Sequence, residues 1–226
     1  MEPHACRPVT EALALELTAA MAEIHRRGWC DGTGGNFSCV QQRDPLRLLM
    51  APSGVHKGRV APGDLISVDG SGSVVEGSGK ASAETALHLE IVERCGAGAV
   101  LHTHSQAGTL LSQWAIQSDP AAQASGAGVL GIANLEMLKG LEGFRTHACE
   151  ARLPVLANDQ DLARLSARAK PLLAEAPHGL LIAGHGLYAW GRGLEEAMRH
   201  LEILEFLLEQ RWRQLLLNAL SPTIRP

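Results

Sequence analysis

Apolar positions recur at helical spacing near the start of the chain and then fall into short runs that are typical of strands. The helical set predicts a first helix and comprises Leu13, Leu17, Met21 and Ile24. Thr10 is placed to cap this helix and Gly28 to end it. Beyond it, β-like runs separated by Gly, Pro, Asp and Ser predict a meander of strands in NFSCV, LRLLM, DLISVDG and SVVEG, with a hairpin turn in VDGSGSV.

The middle of the chain alternates predicted helices with predicted strands. Ser82 can cap the helix AETALHLEIVERC, which Gly96 would end, and the short apolar run AGAVLHTH then predicts a buried strand. A further helix is expected from Ser105. Residues 117–133 are small and weakly patterned, so we predict a long loop there, of the kind that often borders an active site.

The last part of the chain predicts a strand, a helix, a hairpin and a long helix. ARLPVLA has the pattern of a strand, and Asn158 is placed to cap the helix DQDLARLSARAKPLLAEA. HGLLIAGHGLYAWGRG has two β-rich halves that meet at a GHG bend, and LEEAMRHLEILEFLLEQRWRQLLL predicts an amphipathic helix. This order predicts an α/β fold with helices on both faces of a mixed sheet. Without an evident linker or repeat, we expect a single domain over residues 1–226.

Composition and charge exclude several classes of partner. The formal net charge is −4, and no cluster of Lys and Arg could follow a phosphodiester backbone, so nucleic acid is not expected. The N-terminal segment lacks a basic stretch ahead of an apolar one, and no apolar run reaches the ~20 residues of a membrane span. We therefore expect a cytoplasmic protein without a membrane partner. The five cysteines form no C-x-x-C pair and predict reduced thiols that fill the core.

The segment LHTHS raises the question of a metal site. Alternate side chains of a strand face the same way, so His102 and His104 can converge on one ion. Two polar residues at the end of a strand would give the same pattern, and the pair alone is a weak signal.

His185 is the best candidate for a third ligand because the glycines of GHG allow a bend to present its side chain. Three imidazoles would leave one coordination position open, as in catalytic zinc sites. A turn histidine bonded to the backbone is the simpler alternative. The other histidines fall in predicted helices, in or beside loops, or at the N-terminal end, and are not expected to bind the metal: His4, His25, His56, His88, His147, His178 and His200.

Two glycine-rich segments could hold a phosphate group, GTGGNFS at 32–38 and APSGVHKG at 51–58. Each offers backbone N–H groups freed by glycine together with Asn, Ser or Lys donors. Neither fits a Walker loop or a dinucleotide fingerprint, so nucleotide binding is not expected. Ser82, at a helix start, adds a hydroxyl and the positive end of a helix dipole. Ordinary turns between strands remain the alternative.

These motifs, in this order, resemble the zinc-dependent class II aldolase/adducin-head family. Its members carry a Gly-Asn loop, a Ser-Gly loop, a Ser-x-Glu helix start, H-x-H and a later G-H-G, and the resemblance runs from about Thr10 to the final helix. It implies a three-layer α/β/α sandwich with a mixed, mostly antiparallel central sheet. It also implies one zinc ion per subunit on His102, His104 and His185, and a homotetramer with sites near subunit interfaces.

Four further segments, SAETALH, NLEMLKG, LPVLANDQD and LIAGHGLYAWG, look most like the dehydratase branch of this family, lyases of methionine salvage. The resemblance then implies a small sugar phosphate as substrate. The residues expected to hold its phosphate are Asn36, Ser53, Gly54 and Ser82, with Lys57 drawing in the anion and Lys139 assisting charge balance. A sugar-phosphate aldolase or 4-epimerase, and an adducin-like head without catalysis, are the alternatives.

Two glutamates separate the dehydratase from the aldolase. Glu136 in NLEMLKG matches the residue thought to be the acid/base of the dehydratases, and Glu84 in SAETALH matches the acid/base of the sugar-phosphate aldolases. The chain departs from many members in having Ala81 where they have proline, and some dehydratases have cysteine at the position of Glu84. We expect Glu136 to be the principal acid/base and Glu84 to be either a second acid/base or a ligand-gating group. Simpler roles are a helix-dipole partner for Glu84 and a solvated helix residue for Glu136.

Overall fold

The computed structural model describes residues 7–220 and is built around a nine-stranded sheet. The strands are β1 (Asn36–Arg43), β2 (Leu46–Met50), β3 (Ile66–Asp69), β4 (Val74–Glu76), β5 (Ala99–Thr103), β6 (Ala127–Ala133), β7 (Glu150–Leu156), β8 (Gly179–Ile182) and β9 (Gly186–Gly191). The helices are α1 (Arg7–Arg26), α2 (Thr85–Cys95), α3 (Gln106–Gln117), α4 (Pro120–Ser125), α5 (Leu162–Leu173) and α6 (Leu194–Leu220).

The sheet has the order β4-β3-β2-β1-β5-β9-β8-β7-β6, and every neighbouring pair is antiparallel except β7 and β8. Buried side chains form two apolar clusters. One joins the sheet to α1, α3 and α6, and the other joins it to α2 and α5. Because successive side chains of a strand alternate between faces, each strand of the centre contributes to both clusters. The three-layer α/β/α sandwich with a mixed, mostly antiparallel sheet is therefore confirmed.

Three predicted helix starts were wrong by a few residues, whereas the helix expected from Ser105 does begin there, with Ser105 as the cap of α3. The first helix begins at Arg7, so Thr10 lies inside it and is not its cap. The second begins at Thr85 because Ser82 and the two residues after it form a turn. The fifth is capped by Asp161, whose Oδ1 accepts a hydrogen bond from the N–H of Arg164 at 3.0 Å, instead of by Asn158. The predicted ends hold better, since Gly28 and Gly96 both adopt positive φ just beyond their helices.

The long loop predicted at 117–133 was also wrong. Asp119 caps the short helix α4, and Gly126 ends it with φ 66°. The remaining residues form β6, an edge strand that pairs with β7 along its whole length. Leu130 and Ile132 are buried there. Small residues gave this segment little apolar alternation, and its strand conformation comes from pairing with β7.

Two further expectations concern membrane-spanning helices and the state of the cysteines. None of the helices among residues 7–220 is long and apolar enough to cross a bilayer. The described cysteines are all free thiols, and burial raises the pKa of Cys30 to about 11 and that of Cys39 to about 12. Such thiols are unreactive near neutral pH. Cys6 and His4 lie outside the described residues.

Candidate metal centre

The centre of the sheet places three polar side chains in one row. In the registers of β1 with β5 and of β5 with β9, His102 is paired with Asn36 on one side and with Tyr188 on the other. Directly paired residues share a face of the sheet. That face is the one covered by α2 and α5, because Val100 and Tyr188 belong to the same buried cluster as those helices.

His102, His104 and His185 lie together at the end of this row. The Nε2 atom of His102 is 2.8 Å from Nε2 of His104 and 3.3 Å from Nε2 of His185. The rings meet edge to face, with interplanar angles of 67° to 90°. The three nitrogens therefore converge on one point, which is the arrangement a metal ion needs.

Hydrogen bonding and burial give His102 the tautomer and the neutral charge that a metal ligand needs. Its Nδ1–H donates to the carbonyl oxygen of Leu187 at 3.0 Å, so the lone pair is on Nε2. Burial, reinforced by the neighbouring imidazoles, holds the pKa of His102 well below 6.5, and burial lowers that of His104 to about 4. Both rings are thus neutral near pH 7, as metal binding requires. The donor set fits a borderline divalent transition metal.

Three glycines allow the backbone to bring the three rings together. A Cβ atom at Gly186 would lie 1.9 Å from the carbonyl oxygen of Thr103, and one at Gly35 would lie 2.7 Å from that of His102. Gly184 adopts φ 66° in the bend that carries His185. Both glycines of the GHG segment are therefore required, Gly184 by its positive φ and Gly186 by the close approach of the neighbouring strand.

Glu84 directs a carboxylate at the histidines from the start of α2. Its Oε1 atom is 3.2 Å from Nε2 of His185 and 3.6 Å from Nε2 of His102. Tyr188 donates its hydroxyl hydrogen to the same oxygen at 3.1 Å, and its ring stacks on His102 with a centroid distance of 4.0 Å. Tyr188 was not predicted from the sequence. The sequence indicated that Tyr188 lies in a strand, but it did not indicate that His102 lies beside it on the neighbouring strand.

A cleft of about 360 Å³ opens beside these residues. Glu84 lines it together with two predicted metal ligands and the predicted phosphate-binding residues, which are His104, His185, Asn36, Ser53, Gly54 and Ser82. The structure therefore brings both glycine-rich loops to the same cleft. Three lining residues were not predicted for the site: Asn158, Gln160 and Leu162.

Lys57 links the two glycine-rich loops through hydrogen bonds of its side chain. Its side chain is buried, and its Nζ atom donates to the carbonyl oxygens of Thr33 and Val55, each at 3.0 Å. Burial lowers the pKa of Lys57. The lysine also lines the cleft, so it combines a positive charge near the anion site with a structural link between the loops.

Glu136 and Lys139 lie outside this cleft in the described chain. Both belong to a short 3-10 helix, Glu136–Gly140, and the Glu136 side chain is 68% exposed. Glu136 forms an ion pair with Lys139, which lowers the pKa of the carboxyl group, and approaches Nδ1 of His147 at 3.6 Å. Within one chain, Glu84 reaches the histidines and Glu136 does not line their cleft.

A second group of potential ligands consists of Glu142, His178 and His200. One potential ligand atom of each residue lies within 4.8 Å of the others, but the histidine rings stack almost parallel, with a centroid distance of 4.1 Å and an interplanar angle of 24°. Nη2 of Arg192 lies 3.6 Å from the Glu142 carboxylate and opposes a cation there. We do not regard this group as a metal centre.

Comparisons with known proteins agree with this geometry. Residues 15–212 match the family described as class II aldolase and adducin N-terminal domain, and the chain belongs to that family. The class II aldolase family is generally metal-dependent, and the three convergent histidines are a possible metal-binding group.

Among curated relatives, the methylthioribulose-1-phosphate dehydratase of Methylococcus capsulatus is 42% identical over 90% of this chain and 94% of its own length. That of Azotobacter vinelandii is 38% identical over 89% and 94%. Among solved structures, YgbL from Escherichia coli superposes with a TM-score of 0.74 at 25% identity, covering 89% of each chain. The L-fuculose-1-phosphate aldolase of Thermus thermophilus gives 0.71 at 24% identity, covering 93% of this chain and 98% of that one.

Proposed function

We propose that this protein is a hydro-lyase that converts 5-methylthioribulose 1-phosphate into 2,3-diketo-5-methylthiopentyl 1-phosphate and water, a step of methionine salvage. The observation that carries the proposal is the convergence of three imidazoles and a carboxylate on a cleft that two glycine-rich loops also line. The names of the relatives at 37% to 42% identity over most of the chain supply the substrate. A cytoplasmic location is part of the same proposal.

The proposed metal is zinc, one ion per subunit, held by His102, His104 and His185. When bound, a divalent zinc ion supplies Lewis acidity toward oxygen atoms of the substrate and offsets negative charge that develops on them. The protein contributes the fixed direction of the lone pairs, through the bond from His102 to Leu187 and through the bend that carries His185.

The phosphate group is proposed to lie against the two loops and the start of α2. Asn36, Ser53, Gly54 and Ser82 line the cleft there, and Lys57 adds a buried positive charge. A cleft of about 360 Å³ suits a small ligand. Binding the phosphate away from the histidines would leave the carbon chain of the sugar near Glu84.

The elimination of water requires removal of the C3 proton and protonation of the departing C4 hydroxyl group. Glu84 lies beside the histidines and is a candidate for one transfer. Glu136 is proposed for the other, as the principal acid/base, from a neighbouring subunit of a homotetramer. Large apolar side chains exposed on α3, on β6 and beside Glu136 support a subunit contact in this region: Leu110, Trp114, Val129 and Met137.

A sugar-phosphate aldolase or 4-epimerase is the second candidate. The position of the Glu84 carboxylate, 3.2 Å from His185, favours it, since that reaction would use Glu84 as the acid/base without Glu136. The purified protein should be assayed with methylthioribulose 1-phosphate, fuculose 1-phosphate and ribulose 5-phosphate, with its metal content measured in parallel. Turnover of the first substrate alone supports the proposal, and turnover of either of the others alone replaces it.

Glu136→Gln and Glu84→Gln variants separate the two acid/base groups. We expect Glu136→Gln to keep metal and fold but to lose about 10² to 10⁴ in kcat. A fully active Glu136→Gln variant would remove Glu136 from the mechanism. If Glu136 acts across a subunit boundary, tetramers refolded from equal amounts of the two variants should recover about a quarter of the wild-type activity, because that fraction of sites has both carboxylates. No recovery would place both groups in the same chain.

A further inference from the structure

A buried chain of hydrogen bonds runs from Glu84 through Asn36 to His88 and Ser38, neither of which lines the cleft. Ser38, Asn36 and His88 are all at least 96% buried. The Oγ atom of Ser38 is 2.7 Å from Nδ1 of His88, Nε2 of His88 bonds to Oδ1 of Asn36, and Nδ2 of Asn36 donates to Oε2 of Glu84. The chain thus leads from β1 through α2 and back to the carboxylate at the metal centre.

The direction of each bond in this chain follows from Oε2 of Glu84, which accepts from Nδ2 of Asn36. Asn36 must therefore turn its amide NH₂ group toward Glu84 and its carbonyl oxygen toward His88. That oxygen also only accepts, so Nε2 of His88 carries the proton. Nδ1 of His88 is then an acceptor, and Ser38 donates its hydroxyl hydrogen to it.

His88 is suited to hold one neutral tautomer. Burial lowers the pKa of His88 to about 3, and among residues 7–220 no carboxylate bonds to its ring to favour a second proton. Its ring also packs edge to face with Tyr188, with a centroid distance of 5.7 Å. Tyr188 itself donates to the other oxygen of Glu84. Both oxygens of the carboxylate are therefore held by groups that contact His88.

We infer that His88 is a positioning residue for the acid/base Glu84: its Nε2–H fixes the orientation of the Asn36 amide, and the amide fixes the carboxylate. This inference rests on the proposed function only through the role of Glu84, which the aldolase or epimerase alternative would share. His88 does not line the cleft, so its effect on the reaction passes through the bond to Asn36.

The test compares His88→Leu, which removes the donor, with His88→Gln, which keeps an N–H donor on a side chain of similar length. We expect His88→Leu to lower kcat about tenfold or more, with KM and metal content changed much less, because a misdirected carboxylate slows the step without removing the binding groups. His88→Gln should recover most of the loss. The matched control is His200→Leu, since His200 is also wholly buried and bonded, to the carbonyl of Trp190, on α6. It should lower thermal stability and leave kcat unchanged.

A kcat for His88→Leu within twofold of wild type, or an equal loss in His200→Leu, would overturn the inference. A readout independent of substrate is the ¹⁵N NMR signature of the ring, which should show Nε2 protonated and Nδ1 unprotonated from pH 6 to pH 8. A doubly protonated ring or the opposite tautomer would also overturn it. If the wild-type protein turns over none of the three sugar phosphates, the proposed function fails, while the NMR result still decides the orientation of the chain.

Discussion

The carboxyl group of Glu205 should control how the stability of this protein depends on pH. Glu205 lies on α6, is 1% exposed, and accepts a hydrogen bond from Oγ1 of Thr103 at 2.5 Å. Burial raises the pKa of Glu205 from 4.5 to about 7, and the hydroxyl groups of Ser105 and Thr103 offset only part of that effect. The folded protein therefore keeps a proton that the unfolded chain loses.

The sign and size of the effect follow from linkage. Because the pKa is raised in the folded state, Glu205 costs no stability below pH 4.5, an increasing amount from pH 4.5 to about 7, and a constant amount above that. A difference of about 2.5 pH units at 1.36 kcal/mol per unit gives a full cost of about 3 kcal/mol. About 2.5 kcal/mol of it should appear between pH 5 and pH 8.

Glu205→Gln removes this titration and keeps an acceptor for Thr103. We expect the variant to gain about 2.5 kcal/mol in free energy of unfolding relative to wild type between pH 5 and pH 8, measured by denaturant titration at fixed protein and metal concentration. Glu209→Gln, one turn further along α6 on an exposed side chain, is the matched control and should show a much smaller gain, because the charge of Glu209 is the least of the causes that raise the pKa of Glu205. A difference between Glu205→Gln and wild type that is the same at both pH values would refute the reasoning.

Three further variants test the site. His104→Ala should reduce the metal content from about one ion per subunit to less than a tenth, because two remaining imidazoles bind a divalent ion much more weakly; retention of a full ion, measured by mass spectrometry of the metal, would contradict the three-histidine centre. Lys57→Met leaves two loop carbonyls without their donor, so we expect a loss of about 1 to 3 kcal/mol in unfolding free energy and a raised KM for phosphorylated substrates; an unchanged KM would remove the lysine from anion binding. Gly186→Ala should lower both the thermal midpoint and the metal content, since its Cβ would force apart the strands that carry the histidines, whereas Gly193→Ala, with open space around it, should change neither; equal effects of the two would contradict the close-approach argument.

Local patterns were enough for much of the fold. The short apolar runs of β2 and β5, the GHG bend and the long helix α6 all lie close to where their apolar periods predicted them. Helix ends marked by Gly28 and Gly96 were predicted well because a positive φ belongs to the residue itself. Helix starts were predicted less well, since several polar residues near Thr85 and Leu162 could each serve as the cap.

As with the fold, only some residues of the site could be predicted from local sequence patterns. The spacing of His102 and His104 predicted that both side chains face the same way, and their rings do meet, although β5 ends at Thr103 and His104 follows directly after it. The glycines of GHG made His185 a candidate third ligand, and the resemblance to a known family added the two glutamates. The roles of these three residues are proposals. Tyr188 and His88 gave no comparable signal, because an aromatic residue in a strand and a histidine in a helix are ordinary core residues until their neighbours are known.

The sequence by itself determined which segments could be strands and helices, which side chains could act as ligands, and that its motifs resemble those of class II aldolases. Only the tertiary structure decided that β1, β5 and β9 lie side by side, so that Asn36, His102 and Tyr188 form one row, and that β6 is a strand. It also placed Glu84 at the histidines and Glu136 outside their cleft. The physical reason is that periodicity and turn chemistry act over a few neighbouring residues, whereas strand order and the meeting of distant side chains depend on contacts that no local pattern encodes.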